Sequence, residues 1–259
     1  MNANTGTVRL SVDGPVAMVV FDRPASRNAM TWEMYQQLDA ICRRLANEPG
    51  VRVACFRGAG GDAFVAGTDI EQFKTFDGPR GLQYERTIEA GIARLESLPL
   101  ATVAVVEGWC VGGGLGLATV CDIRIGTTSA RFGVPIGKTL GNCLASTNIV
   151  RLVAAFGRPR VQRMLIGAEI LGADEALACG YLAAVVAPEA MDAAADSLCQ
   201  RLATLAPVTQ AVSKEMLRRL LVRNVPDDED LILRTYGSED FREGVKAFTE
   251  KRAPVWRGR

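Results

Sequence analysis

Thr102-Val103-Ala104-Val105-Val106-Glu107-Gly108-Trp109-Cys110-Val111-Gly112-Gly113-Gly114-Leu115-Gly116-Leu117-Ala118 is the stretch whose reading decides the fold. Its first five residues are apolar or β-branched and read as a strand buried on both faces. Three glycines then turn the chain, and Leu115 to Ala118 open a helix. A helix that starts this way leaves its first backbone N–H groups unpaired and pointing outward under the positive end of its dipole. Residues without side chains let a polarised carbonyl or an anion come close to them. The same three glycines also fit a plain tight turn that needs only positive φ.

Working outward, the plan repeats. Tyr84, Ile88, Ile92 and Leu95 recur at helical spacing before Pro99. Met34, Leu38, Ile41, Cys42 and Leu45 do the same after a Thr31 cap, and Pro49-Gly50 ends that run. Val51 to Phe56 reads as a strand that breaks at Gly58-Ala59-Gly60-Gly61-Asp62. Val8 to Asp13 and Val16 to Phe21 form a hairpin about Gly14-Pro15. Strands separated by helical crossovers imply an α/β fold with a mostly parallel sheet. From Leu144 onward the pattern is chiefly helical, with Met191, Leu198, Leu202 and Leu205 on one face and Val212, Met216, Leu217 and Leu220 on another.

Composition removes whole classes of function. The 259 residues are 48% hydrophobic and 23% charged, enough for a substantial core. Lys and Arg number 30 against 29 Asp and Glu, so no net field exists to hold nucleic acid or an anionic membrane. Histidine is absent, which removes the commonest general base, the Ser-His-Asp and Cys-His arrangements, and the commonest metal ligand. No metal site is expected. The seven cysteines are odd in number and never at C-x-x-C spacing, which fits core thiols in a reducing cytoplasm. The first ten residues, MNANTGTVRL, lack the regions of a signal peptide, and no apolar stretch approaches the ~18 residues that cross a bilayer. A soluble cytoplasmic protein is expected.

Two other glycine-rich places compete for phosphate. Gly58, Gly60 and Ala63 satisfy G-x-G-x-x-A after a strand, but Phe64-Val65-Ala66-Gly67 does not continue as the helix that a dinucleotide site needs. Gly137-Lys138-Thr139 ends like a P-loop, yet Phe132 stands where its first glycine is required. The short run Asp227 to Asp230 reads as a solvated helix start.

Six segments, in order, resemble the crotonase superfamily, the enoyl-CoA hydratase/isomerase family. They are Arg23-Pro24-Ala25-Ser26-Arg27-Asn28-Ala29-Met30, Ala63-Phe64-Val65-Ala66-Gly67-Thr68-Asp69-Ile70, Glu107 to Gly114, Cys121-Asp122-Ile123-Arg124-Ile125, Ala130-Arg131-Phe132-Gly133-Val134-Pro135, and Phe248-Thr249-Glu250-Lys251-Arg252-Ala253-Pro254. The resemblance implies a crotonase-like ββα-superhelix core over residues 1–195. It also implies a helical region over 196–259 that mediates trimerisation, commonly as a hexamer built from two trimers. An acyl-CoA would be the substrate, with coenzyme A entering as part of it and no cofactor bound permanently.

The same resemblance implies an oxyanion hole from the backbone N–H groups of Thr68 and Gly113, each donor worth roughly 3 kcal/mol in the transition state. Because those donors are backbone atoms, the Thr68 side chain is expected to matter little. Ser26, Arg27 and Ala29 would line the CoA nucleotide, Ala66 and Ile70 would flank adenine and pantetheine, and Lys251 would approach a phosphate from a neighbouring subunit. Asp69 is read as the cap of the helix that follows.

The resemblance breaks at the acids. Hydratases of the family carry one glutamate two residues past the glycine run and another just after F-G-x-P, and here those positions hold Gly116 and Ile136. Each missing acid or base removes about 10²- to 10⁴-fold, so ordinary hydration should be crippled and isomerisation through the second acid lost. A dehalogenase of the family needs a carboxylate where Leu144 stands and a histidine this chain lacks. What remains is chemistry driven by enolate stabilisation, such as decarboxylation of a malonyl-type CoA, or an acid supplied from elsewhere. Glu85 and Glu89 lie on the helix that the family brings over the acyl pocket, with Glu71, Lys138 and Cys143 nearby in the motif register. Glu107 reads as structural. Two functions stand against each other: an acyl-CoA-processing enzyme, and a non-catalytic CoA-thioester binder or assembly subunit.

Overall fold

Strands β1 (Thr7–Asp13) and β2 (Val16–Asp22) pair antiparallel from Thr7 opposite Asp22 to Asp13 opposite Val16, as the alternation predicts. They begin a computed structural model that describes residues 6–223 and 225–259. Helix α1 (Trp32–Leu45) starts where Thr31 accepts the Met34 N–H, and it buries the predicted Met34, Leu38, Cys42 and Leu45. Strand β3 (Val53–Gly58) then lies parallel to β2, beginning two residues later than the apolar run suggests.

Where the sequence predicts one strand per turn, the structure has two. After β3 the chain forms β4 (Ala63–Ala66) in a different sheet before α2 (Gly78–Glu96). The next turn repeats this with β5 (Ala101–Val106), β6 (Trp109–Val111) and α3 (Gly113–Thr119). At four and three residues, β4 and β6 are too short to show an alternating pattern, and they are fixed by pairing to each other rather than by composition. A third turn runs β7 (Ile123–Thr127), β8 (Arg131–Gly133), and the helices α4 (Ile136–Thr139), α5 (Ser146–Phe156) and α6 (Arg158–Leu165). Strand β9 (Ile170–Gly172), helix α7 (Ala173–Ala178) and strand β10 (Ala184–Val186) close the superhelix.

One sheet therefore has the order β1-β2-β3-β5-β7-β10 and the other β4-β6-β8-β9, with every pairing parallel except β1 with β2 and β8 with β9. The main core fills the space between sheets and helices around Phe21, Phe56, Phe64, Leu115 and Phe132. Helix α8 (Met191–Ala203) covers the other face of the larger sheet, where Met191, Ala195, Cys199 and Leu202 meet Val53, Cys55, Val103 and Val105. Position 195, the division expected from the sequence, lies on this buried face.

Helices α9 (Pro207–Leu221), α10 (Glu229–Tyr236) and α11 (Glu239–Thr249) follow. Lys214 ties α9 to the body by donating to Asp122 Oδ2 at 2.9 Å and to Thr102 Oγ1 and the Leu100 carbonyl at 3.2 Å. The apolar face predicted on α9 points outward, with Met216 61% and Leu220 72% exposed, so nothing among the described residues covers it. Among the described residues no helix is long and apolar enough to cross a membrane.

Candidate active site

The three glycines of the decisive turn have three different jobs. Gly112 takes φ +55° at the end of β6 and donates its N–H to the Gly133 carbonyl at 3.0 Å, so it is the tight-turn residue. Gly113 is the first residue of α3, and its N–H therefore has no acceptor within the helix. Gly114 is required by packing, because a Cβ there would stand 2.0 Å from the Val65 carbonyl oxygen. The tight-turn reading describes Gly112, and the helix start on which the functional reading depends falls at Gly113.

A second turn faces this one. Gly67, at φ +90°, accepts the Met30 N–H at 2.9 Å, and Asp69 donates back to Met30 at 2.9 Å. That single parallel bridge engages the residues on either side of Thr68 and leaves the Thr68 N–H directed away from it. The two turns touch, since a Cβ on Gly112 would lie 3.6 Å from the Gly67 Cα. Both Thr68 and Gly113 line one cavity of about 340 Å³, walled by Phe73, Ile88, Ile92, Leu140 and Leu152. Asp69 caps the following turn as expected, accepting the Glu71 N–H at 3.2 Å.

The Thr68 side chain is not idle. Its hydroxyl lies 2.8 Å from the Tyr35 hydroxyl and 2.9 Å from that of Tyr84. Burial pushes the Tyr35 phenol up to about 12 and the Tyr84 phenol well above its ordinary range, so both are neutral donors.

Gly116 and Ile136 both line the cavity, and neither brings an acid to it. Glu85 does so from another direction. It projects from α2 into the same cavity while almost wholly buried; its Oε1 accepts the Tyr236 hydroxyl at 2.6 Å and its Oε2 the Ala145 N–H at 3.3 Å. Burial raises this carboxyl to about 7, although the bonds from Tyr236 and Ala145 pull the other way. Glu89, one helical turn on, is outside the cavity lining and pairs with Arg151 at 2.7 Å while accepting the Thr147 hydroxyl at 2.8 Å. Arg151 is also bound to Glu96 at 2.8 Å and to Asn148 at 3.1 Å. Of the two acids singled out in the sequence, the fold brings one to the cavity.

The remaining candidates separate by position. Arg27 lines the cavity with its guanidinium 5.8 Å from the Trp109 ring, and Ala66 and Ile70 line it too. Ser26 and Ala29 flank Arg27 but are not lining residues. Lys251 is exposed just past α11, outside the cavity, whereas Phe248 reaches it. Glu71 pairs with Lys74 on the surface, Lys138 is exposed, and burial raises the Cys143 thiol to about 11. Glu107 pairs with Arg57 at 2.9 Å and does not line the cavity. Ala63–Ala66 is a strand, which removes the helix that a dinucleotide site at Gly58 would need. Among the described residues no group of three or more potential metal ligands forms.

Three residues in or beside the cavity carry no local signal in the sequence. Tyr236 comes to Glu85 from 151 positions away. Tyr35 sits in a helix with ordinary periodicity. Asn142 lines the cavity, donates to the Tyr236 hydroxyl at 3.4 Å, and keeps a buried Oδ1 without a partner.

Comparison with known proteins agrees in length and fold. A family model described as enoyl-CoA hydratase/isomerase matches residues 12–259. The chain is 32% identical over 260 residues to (E)-benzylidenesuccinyl-CoA hydratase of Thauera aromatica, covering 97% of this chain and 99% of that one. It is 30% identical over 250 residues to the short-chain-enoyl-CoA hydratase of Clostridium acetobutylicum, covering 95% of each. A solved structure of methylmalonyl-CoA decarboxylase in complex with 2-nitronate-propionyl-CoA superposes with a TM-score of 0.89 at 26% identity, covering 97% of this chain and 98% of that one.

Proposed function

The chain belongs to the enoyl-CoA hydratase/isomerase family, and on that premise we propose that it holds an acyl-CoA thioester carbonyl between the Thr68 and Gly113 N–H groups while Glu85 exchanges a proton with the acyl chain. The observation that carries this reading is a buried carboxyl raised to about 7 in the cavity where the two turns meet. Two fixed amide dipoles stabilise the charge that grows on the carbonyl oxygen as an enolate forms, each by roughly 3 kcal/mol, and they need no reorganisation to do so. A carboxyl near neutrality is present in both protonation states at physiological pH and can give or take the α-carbon proton.

Ordinary hydration calls for two carboxyls on the water and on the α-carbon, and Gly116 and Ile136 supply neither. Decarboxylation of a malonyl-type CoA fits the remaining groups. The bond from the α-carbon to the carboxylate breaks, its electron pair becomes the enolate, carbon dioxide leaves, and protonated Glu85 returns a proton to the α-carbon. Similarity to methylmalonyl-CoA decarboxylase supports this reaction class, and it requires no base.

Arg27, Ala66 and Ile70 would hold the nucleotide and pantetheine at the mouth of the cavity, with Ser26 and Ala29 shaping the loop that carries Arg27. Lys251 would approach a phosphate of the coenzyme A from a neighbouring subunit. The apolar outer face of α9 supports assembly through residues 196–259 as a homotrimer or a hexamer of two trimers, since an uncovered row of this kind marks an interface.

The test is a thioester panel of enoyl-CoA, 3-hydroxyacyl-CoA and malonyl-type CoA, followed by mass spectrometry. Gain or loss of water, or loss of carbon dioxide, from any member supports an enzyme and names its reaction. Tight CoA binding with every thioester recovered intact would establish the non-catalytic binder instead.

A further inference from the structure

We infer that Asn148 selects the acyl group, donating from Nδ2 to an uncharged oxygen, such as a ketone or a hydroxyl, carried by the acyl chain. This deepens the acyl-CoA reading above and rests on it.

Asn148 is the third residue of α5, is only 6% exposed, and lines the cavity. Its Oδ1 accepts from Arg151 Nη1 at 3.1 Å. A guanidinium only donates, so this bond fixes which end of the amide is the oxygen and turns Nδ2 the other way. Arg151 is itself held fast. It is 4% exposed; Glu96 accepts from its Nε at 3.1 Å and its Nη2 at 2.8 Å, and Glu89 accepts from its Nη1 at 2.7 Å. Asn148 Nδ2 has no acceptor among the described residues. It is not sealed in either, because the one sealed side-chain polar atom without a partner among those residues is Asn142 Oδ1. The amide hydrogens of Asn148 therefore meet the cavity, whereas the unpaired oxygen of Asn142 is out of reach.

This donor sits at the inner end of the cavity. Arg27, at the mouth, is exposed, while Asn148 and Arg151 are buried on the same lining. Glu85 marks the acyl side, since its Oε2 accepts the N–H of Ala145, the residue that caps α5 three positions before Asn148. The walls here are apolar, from Ile88, Ile92, Leu140, Leu144 and Leu152. A plain alkyl chain that fills this space strips water from Nδ2 and leaves it unpaired, whereas an oxygen on the chain pairs with it. A carboxylate does not suit the place. The one nearby cation, Arg151, is already shared by Glu89 and Glu96, so a further anion would stand uncompensated.

Calorimetric titration of the wild-type protein with hexanoyl-CoA, its 4-oxo and 5-oxo analogues, and adipyl-CoA, whose chain ends in a carboxylate, tests this without any variant. At least one oxo analogue should bind about tenfold or more tighter than hexanoyl-CoA, and adipyl-CoA should bind no tighter than hexanoyl-CoA. Asn148→Leu should erase the oxo preference while hexanoyl-CoA binds at least as well as to wild type. Asn148→Asp keeps an oxygen for Arg151 but removes the donor; it should lose the same preference and serves if the leucine variant does not fold. Equal wild-type affinity for hexanoyl-CoA and both oxo analogues overturns the inference, as does a preference that survives these substitutions, or adipyl-CoA binding tightest of the four. If none of the four thioesters binds, the acyl-CoA reading itself is wrong and the role of Asn148 falls with it.

Discussion

The phenolic hydroxyl of Tyr236 on α10 donates to Oε1 of Glu85 on α2 at 2.6 Å, which ties the helical end of the chain to a buried acid in the cavity. Burial raises that acid and the Tyr236 bond partly opposes the rise, because it favours the charged carboxylate. Tyr236→Phe should therefore push the Glu85 carboxyl above about 7. In a pH profile of kcat, a limb governed by protonated Glu85 would move to higher pH in the variant, and an unmoved limb would mean that another group titrates.

The same acid makes stability depend on pH in a definite direction. Its pKa rises from 4.5 in the open chain to about 7 in the fold, so the folded state holds the proton more tightly. Stability contributed by this group is fully present below about pH 4.5 and is lost as pH climbs to about 7, by on the order of 3 kcal/mol. Above about 7 the loss is complete and constant. Urea unfolding at pH 5 and pH 8 should show Glu85→Gln losing less stability over that interval than wild type. Equal losses would contradict the buried, shifted carboxyl.

Adjacent glycines in the turn should respond differently to alanine. At Gly114 the new Cβ would meet the Val65 carbonyl oxygen at 2.0 Å, a backbone atom that cannot step aside, so Gly114→Ala should cost about 3 kcal/mol or more. At Gly113 the nearest atoms are the Tyr35 hydroxyl at 2.9 Å and Thr68 Oγ1 at 3.4 Å, both side-chain tips. Gly113→Ala should fold within about 1 kcal/mol of wild type and lose turnover by disturbing those hydroxyls. Thermal unfolding and the thioester panel read the two effects separately.

The uncovered row on α9 should hold subunits together. Met216→Glu with Leu220→Glu places two charges on the 61% and 72% exposed positions without touching the protomer's own core. Sedimentation should show the assembly falling to single chains that keep their helical circular dichroism. A wild-type protein that already sediments as a monomer would remove the assembly reading.

Local chemistry made part of this legible in the sequence. The Thr31 cap, the hairpin about Gly14 and the buried face of α1 are set by residues within a few positions of one another. The glycine turn was readable because a strand, three glycines and a helix start are contiguous, and Gly116 and Ile136 because they stand at fixed offsets from motifs. Strands β4 and β6 were not, since three or four residues carry no period and gain their identity from pairing across sheets. Nor was the choice of Glu85 over Glu89. The two lie one helical turn apart, and only the arrival of Tyr236 and Ala145 on one side and Arg151 on the other sends one to the cavity and the other into an ion pair. The hydroxyls of Tyr35 and Tyr84 likewise converge on Thr68 from two different helices, which no spacing encodes.

Proton exchange at the α-carbon tests the central claim most directly. The protein is incubated in deuterated water with the thioester that the panel shows to react, or with each panel member in turn, and the recovered acyl-CoA is weighed by mass spectrometry. Deuterium should enter at the α-carbon, should be abolished by Gly113→Pro, which removes one amide donor at a first-turn position where proline fits a helix, and should fall by about 10²-fold or more in Glu85→Gln. Thioesters that bind but return without deuterium and otherwise unchanged, or incorporation that survives both substitutions, would contradict carbonyl polarisation by this turn with proton exchange at Glu85.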